Sequence, residues 1–112
     1  MATTGRRVRG SRSGRPIMVL LDLLGRRWVL RILWELRAGP LNFRELQAAC
    51  GGLSPSVLNQ RLAELREAGL VESSAGGYAF TAQGRELFRL FGPLNRWAER
   101  WGRRNVTGAD SR

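Results

Sequence analysis

Several residue types that carry chemistry in proteins are rare or missing in this chain. Its 112 residues include no histidine and one cysteine, and all 19 basic residues are arginine. Without histidine or lysine, and with a single thiol, no acid–base pair or activated nucleophile can be assembled, so we expect no enzyme activity. The same shortage argues against a metal site built on nitrogen and sulfur ligands. We predict neither a metal nor another cofactor.

Long apolar runs are also missing. The longest, residues 17–24, is interrupted by Asp22 and is far shorter than the roughly 20 residues that a membrane-spanning helix needs. The basic N-terminus is not followed by an apolar stretch that ends in small residues, so no signal peptide is predicted. One cysteine cannot form an internal disulfide, which fits a reducing compartment. We expect a cytoplasmic protein with no membrane partner.

What the chain has in excess is positive charge, with a net value of +10. Residues 1–15 contain five arginines and no acid, whereas residues 16–99 contain ten arginines and eight acids. We predict a disordered basic arm over 1–15, a folded domain over 16–102 and a flexible tail over 103–112. Basic ends around a nearly neutral domain favour a polyanionic partner. The alternative is that the arginines reflect genome composition or solubility.

Periodicity and capping residues predict a sequence of short elements. The predicted helices are 17–24, 27–37, 43–49 and 54–68, the strands are 70–72 and 78–80, and a last helical region after Thr81 is broken at Gly92-Pro93. Helix, glycine turn, helix, strand and glycine-rich hairpin follow one another between residues 41 and 80. That order predicts a mainly α fold with a small β-hairpin (α+β), a winged helix-turn-helix that places one helix in a DNA groove.

The helix at 54–68 is the predicted reading helix. Its outward side chains in the first two turns are Ser56, Asn59 and Gln60, and amides of this kind can pair with an adenine edge. The alternative is a neutral solvated face. The full set of predicted DNA contacts is Asn42, Arg44, Ser54, Ser56, Asn59, Gln60, Arg61, Ser74 and Tyr78, with Arg12 and Arg15 in the arm.

Different roles are expected within that set. Asn42 and Arg44 lie where the first helix of the pair approaches the sugar-phosphate backbone. The wing carries Ser74 and Tyr78 but no arginine at its tip, so it is a poor minor-groove reader. We hypothesise that the basic arm enters the minor groove instead, as such arms can.

The first and last helices carry more apolar surface than a small winged helix needs. The predicted interface residues are Ile17, Leu20, Leu21, Leu24, Phe88, Phe91, Leu94, Trp97 and Trp101. A second copy would cover this face and would place two reading helices about 34 Å apart, one turn of DNA. The alternative is that these residues fold back on the core of the monomer.

Two further features are ambiguous in the sequence. Trp28, Trp34, Trp97 and Trp101 could form an aromatic pocket for a small planar ligand at the dimer interface, or could simply fill the core. Cys50 is predicted to be a small core residue rather than a redox switch, because no arginine lies within one helical turn of it along the chain to lower its pKa.

The chain also resembles the HxlR-type winged-helix transcriptional regulators of bacteria over about residues 16–102. The resemblance rests on Leu24-Gly25-Arg26-Arg27-Trp28, Ile32-Leu33-Trp34-Glu35-Leu36, Gly39-Pro40-Leu41-Asn42-Phe43-Arg44-Glu45-Leu46, the run from Leu53 to Leu65, Ala68-Gly69-Leu70-Val71, the run from Tyr78 to Leu87, and Trp101-Gly102. It implies a cytoplasmic homodimer that binds operator DNA, usually as a repressor, and that dimerises through its first and last helices.

The chain departs from that family at two places. Many members carry a sensing cysteine directly before the proline that opens the first helix, where this chain has Arg15. The thiol-sensing mechanism is therefore not carried over, and the wing is shorter than is usual in the family. The predicted function is a sequence-specific, dimeric transcriptional regulator, a repressor on a palindromic operator. The alternative is a winged-helix module that binds a protein or small ligand, with weak or non-specific DNA affinity.

Overall fold

The computed structural model describes residues 14–106, including the backbone of Val106. Its helices are α1 (Pro16–Leu24), α2 (Val29–Glu35), a 3-10 turn (Leu36–Ala38), α3 (Phe43–Ala49), α4 (Pro55–Glu67), α5 (Ala82–Arg89), α6 (Phe91–Trp101) and a π turn (Gly102–Val106). The strands are β1 (Val71–Ser74) and β2 (Gly77–Phe80). The predicted fold, mainly helical with one small hairpin, is confirmed. Most of the predicted arm and the tail after residue 106 lie outside the described residues.

The second helix is shorter than predicted. Trp28 has φ +80°, a left-handed conformation that a helix cannot contain, so α2 begins at Val29 instead of residue 27. At the other end the chain tightens into the 3-10 turn before Gly39, whose φ is +142°. Backbone geometry at these two residues is not visible in the periodicity of the side chains.

The helix-turn-helix forms as its capping residues predict. Asn42 Oδ1 accepts a hydrogen bond from Glu45 N, and Glu45 Oε1 accepts one from Asn42 N, which completes the capping box of α3. Gly51 and Gly52 both have φ near +80° and make the turn. Ser54 Oγ then accepts from Val57 N and starts α4.

Each strand of the hairpin is one residue longer than predicted, and the first begins at Val71 instead of residue 70. β1 and β2 pair antiparallel with Val71 opposite Phe80 and Ser74 opposite Gly77, so two residues form the turn. Leu41 pairs with Tyr78 through two backbone hydrogen bonds of 3.0 and 2.8 Å and anchors the start of β2 to the segment before α3. This long-range bridge was not predictable from local pattern.

Within the described residues, one apolar core connects these elements. Its buried members are Leu23, Val29, Ile32, Leu33, Leu36, Leu46, Cys50, Leu53, Leu58, Leu62, Leu65, Leu70, Val71 and Phe80. The last helical region does break into two pieces, as expected, but the junction lies at Leu90 and Pro93 occupies the first turn of α6. Proline is tolerated there because its missing N–H would have no helical partner. No helix in the described part of the chain is long and apolar enough to span a bilayer.

Candidate nucleic-acid interface

Helix α4 presents an uncharged polar face to solvent over its first two turns. Leu58, Leu62 and Leu65 are fully buried on one side, which leaves Asn59 and Gln60 exposed on the other. Ser56 is also exposed and lies next to the N-cap, with 3.5 Å between its Oγ and that of Ser54. Within residues 14–106 the amides of Asn59 and Gln60 make no hydrogen bond, so both remain able to donate and accept.

The basic and acidic residues around this face are placed differently. Arg44 is exposed on α3, close to the capping box. Glu64 is turned inward with a side chain only 12% exposed, and Glu67 lies at the far end of α4. The first two turns of α4 therefore carry no free acid that would repel phosphate. Asn42 is also exposed, but its Oδ1 is used by the cap, so only its Nδ2 group is left to donate.

The structure shows that the side chain of Arg61 has partners within the domain, and its predicted DNA contact stays a prediction. Its Nε donates to the carbonyl oxygen of Arg27 at 2.8 Å, and its Nη1 contacts both carboxylate oxygens of Glu64. These contacts hold the guanidinium within the domain. Arg61 follows Asn59 and Gln60 by one or two residues, so its side chain lies beside their exposed face and not on it. Sequence spacing placed it beside the buried stripe but could not show its partners.

Only one of the two predicted DNA contacts on the wing is exposed. Ser74 is exposed, while Tyr78 is half-buried and packs against the core. The hydroxyl of Ser74 lies 3.5 Å from the carbonyl oxygen of Gly77. Arg15 is exposed just before α1, and Arg12 lies outside the described residues.

A second surface is apolar and exposed. It consists of Ile17 and Leu21 on α1, Leu30 and Trp34 on α2, and Leu90, Leu94, Trp97 and Trp101 around α6, which are between 36% and 67% exposed. We call these eight residues the apolar face. A groove of about 480 Å³ runs through it, and Asn95 supplies the polar side chain in its lining.

Several residues predicted for this interface are placed differently. Phe88 packs against the core and stacks on Phe80 with 5.3 Å between ring centroids, while Leu20, Leu24 and Phe91 are only half-exposed. Leu30 was not predicted to be part of it, and Trp34 was considered only as a member of a tryptophan pocket at the dimer interface. Their spacing of four residues, on the side of α2 away from Ile32 and Leu33, was the signal that could have revealed them.

The tryptophans do not gather in one pocket. Trp34 lines the groove and is covered by the Arg37 guanidinium at 4.1 Å. Trp97 and Trp101 stack on each other on α6 with centroids 5.9 Å apart. Trp28 lies in a separate depression beside Arg27.

Cys50 ends α3 and is 2% exposed, in the core as expected. Burial raises the pKa of its thiol above the ordinary value of 9.0, an effect that Arg31 partly opposes and Glu35 reinforces. The neutral thiol is therefore the favoured form. Among the described residues no group of three His, Cys, Asp or Glu side chains is placed to hold a metal ion.

Known proteins are similar to this chain in sequence and in fold. The chain matches the profile of a family described as HxlR-like helix-turn-helix over residues 23–106. It is 34% identical to the HTH-type transcriptional regulator YvaP of Bacillus subtilis over 88 residues, which cover 72% of this chain and 82% of the relative. The crystal structure of quinone-bound YodB from B. subtilis superposes with a TM-score of 0.69 at 31% identity, covering 75% of this chain and 96% of YodB.

A second solved structure is also similar to this chain. A protein described as a possible HxlR family transcriptional factor from Thermoplasma volcanium has a TM-score of 0.68 and 29% identity, covering 80% of this chain and 86% of that protein. These relatives form a class of regulators that are not enzymes, in agreement with the prediction from composition. A helix-turn-helix with an exposed second helix is the DNA-binding device of that class. The chain belongs to the HxlR-like helix-turn-helix family of transcriptional regulators.

Proposed function

We propose that the protein is a homodimeric, sequence-specific repressor that reads a palindromic operator with α4. The observation that carries this proposal is the exposed, uncharged face of Ser56, Asn59 and Gln60 on a helix whose other side is fully buried. Amide side chains at the N-terminal turns of a second helix suit the major groove, where each amide can make two hydrogen bonds to adenine.

Contacts to the phosphate backbone would come from the neighbouring elements. Arg44 on α3 and the Nδ2 group of Asn42 are exposed next to the reading helix. Ser54 and Ser74 supply hydroxyls at the start of α4 and on the wing. The arm containing Arg12 and Arg15 would add sequence-independent affinity that decreases with salt.

The dimer is proposed from the apolar face. Eight large apolar side chains that are at least one-third exposed form more hydrophobic surface than an isolated small domain usually leaves in water. A two-fold arrangement buries the same surface on both copies and repeats the reading helix, so the operator must be palindromic. We propose repression because a dimer on its operator excludes other proteins from the same DNA. Operator binding places its site of action in the cytoplasm.

A second function is favoured by one observation. The groove of about 480 Å³ is within the usual size range for small-molecule sites and is lined by Trp34, Phe91 and leucines. The related YodB has been crystallised with a quinone. A planar aromatic ligand at the dimer interface would make the protein a ligand-binding module, with DNA affinity controlled by the ligand or weak and non-specific.

Selection of bound fragments from a random DNA pool at two salt concentrations tests the main proposal. We expect an enriched palindrome at both, with weaker binding at high salt. Repeating the selection with the chain lacking residues 1–12 should retain the palindrome and reduce the salt dependence. A pool without any enriched sequence would contradict the proposal and favour the ligand-binding module.

The double substitution N59A/Q60A tests the reading residues. We expect the preference for the selected site over a scrambled site to drop at least tenfold, because one two-bond amide contact is worth about 1–3 kcal/mol of discrimination. Gln83→Ala removes an exposed amide from α5 and should leave the preference unchanged. Competition binding by fluorescence anisotropy measures both. Unchanged preference in the double variant would remove α4 from base reading.

A further inference from the structure

A group of charged residues connects α4 to the segment between α1 and α2. Arg61 Nε donates to the Arg27 carbonyl oxygen at 2.8 Å. Arg61 Nη1 lies 3.2 and 3.3 Å from the two carboxylate oxygens of Glu64, and Arg26 Nη1 lies 3.1 Å from Glu64 Oε2. Two side chains of the reading helix are therefore bonded to two consecutive residues of one linker. We call Arg26, Arg61 and Glu64 the charge clamp.

The charge clamp is shielded from water. The Glu64 side chain is 12% exposed, and those of Arg61 and Arg26 are 19% and 20% exposed. The energy of an ion pair in such a place depends strongly on its geometry, because a displaced partner leaves a poorly solvated charge. The hydrogen bond from Arg61 to a backbone carbonyl adds direction, since its strength decreases steeply when the donor angle changes.

The linker itself is fixed to α1. Gly25 N donates to Leu21 O at 2.9 Å, and Arg26 N donates to Leu23 O at 3.1 Å. Trp28 closes the linker in the left-handed region, with φ +80°. Leu21 also belongs to the apolar face, so about one and a half helical turns of chain separate the proposed dimer contact from Arg26, the first member of the clamp.

Apolar packing alone would define the position of α4 relative to the linker with less precision. Leu58, Leu62 and Leu65 keep the helix against the core, but hydrophobic contacts have little directional preference. Small rotations or shifts of α4 along its axis would retain most of that burial. The clamp removes this freedom because its hydrogen bonds exist in one register of α4 relative to the linker.

We propose that Arg61 and Glu64, together with Arg26, are positioning residues that set the distance between the two reading helices of the dimer, and so the half-site spacing that the protein accepts. The inference rests on the proposed dimeric operator binding and adds a specificity determinant that does not touch DNA. It also gives Arg61 a role in DNA recognition without the direct contact that the sequence suggested.

Operators whose half-sites are moved apart or together by one base pair test the proposal. Each such step changes the separation by about 3.4 Å and rotates one half-site around the duplex. We expect wild-type protein to bind the selected spacing at least tenfold more tightly than either neighbour. Arg61→Met and Glu64→Gln should reduce that ratio at least threefold, while the base preference within each half-site stays as in wild type.

The same helix provides matched controls. Arg66→Met and Glu67→Gln remove the same charges at exposed positions that make no ion pair within residues 14–106, and both should retain the wild-type spacing ratio. If the clamp only stabilised the fold, its loss would weaken binding equally at every spacing. That result, or an unchanged ratio, would overturn the proposal. Failure of both clamp variants to fold would assign the residues to stability and would overturn it as well.

A measurement without DNA separates this inference from the proposed function. Ala63 is exposed on α4 and Cys50 is buried, so a nitroxide attached to Ala63→Cys reports the distance between the two α4 helices of a dimer. Arg61→Met should shift or broaden that distance distribution, and Arg66→Met should not. An identical distribution contradicts the inference even if DNA binding is confirmed. If wild-type protein selects no DNA site, the proposed function fails and the inference fails with it.

Discussion

At the scale of single residues, Gly84 shows how closely the backbones approach in this domain. It is buried in the first turn of α5, and an added Cβ would overlap the carbonyl group of Leu70. Neither group belongs to a side chain that can rotate away, so relief requires moving α5 away from the start of the hairpin.

We expect Gly84→Ala to lower the free energy of unfolding by about 3 kcal/mol, the upper range for overpacking. Urea denaturation followed by circular dichroism measures the change. Gly76→Ala is the matched control, because Gly76 lies at the hairpin turn with open space around its Cβ position and without a positive φ. Equal stability of the two variants would show that α5 can shift at little cost.

The buried thiol of Cys50 should make the free energy of unfolding depend on pH, and its raised pKa sets the sign of that dependence. Because burial raises the thiol pKa, the unfolded chain loses this proton at a lower pH than the folded chain. The contribution to stability is complete below pH 9.0 and decreases as the pH rises above it, by at most about 1.4 kcal/mol per pH unit. Subtracting the profile of Cys50→Ala from that of wild type, by urea denaturation between pH 7 and 10.5, isolates this effect. Parallel profiles would contradict a buried neutral thiol.

At the scale of elements, Thr81 joins α5 to the residues that follow α4. Its Oγ1 donates to Gly69 O at 2.6 Å and accepts from Gly84 N at 2.9 Å. One hydroxyl thus caps α5 and satisfies a carbonyl at the C-terminal end of the helix-turn-helix.

We expect Thr81→Val to reduce the free energy of unfolding by about 2 kcal/mol, because the isosteric methyl group leaves two partly buried backbone groups unpaired. Thr81→Ser should restore most of it. Ser74→Ala removes a hydroxyl whose contact is a long one of 3.5 Å and should change stability by less than about 0.5 kcal/mol. Thermal and urea denaturation give the comparison. A Thr81→Val variant as stable as wild type would rule out this role of the cap.

At the scale of the whole molecule, the apolar face is the proposed dimer interface. Trp97 is 52% exposed on α6 and belongs to that face. We expect Trp97→Glu to convert the proposed dimer into a monomer, because a carboxylate buried between two copies has no partner and loses its hydration. Ala48→Glu places the same charge on exposed α3 and should leave the dimer intact. Sedimentation equilibrium distinguishes the two states, and a dimeric Trp97→Glu variant would contradict the proposed interface.

Residues with local signals were predicted well. Asn42, Ser54 and Thr81 cap helices as expected, since a cap needs only its own side chain and the next turn. Asn59 and Gln60 are exposed as predicted because helical periodicity and the leucine stripe fix which side is outward. Arg61, Tyr78 and Phe88 were placed less well, since each is positioned by a partner that is distant in sequence.

The amino-acid sequence by itself determined the order of helices, turn and hairpin, the outward face of α4 and the family, because these depend on patterns within a few turns of chain. Only the tertiary structure decided that Arg61 is bonded to the Arg27 carbonyl, that α2 starts after a left-handed Trp28, and that Leu30 and Trp34 extend the apolar face. Such contacts arise when elements distant in sequence are brought within hydrogen-bond or van der Waals distance. Local periodicity shows that Leu30 and Trp34 share one side of α2, but it does not show which elements approach that side.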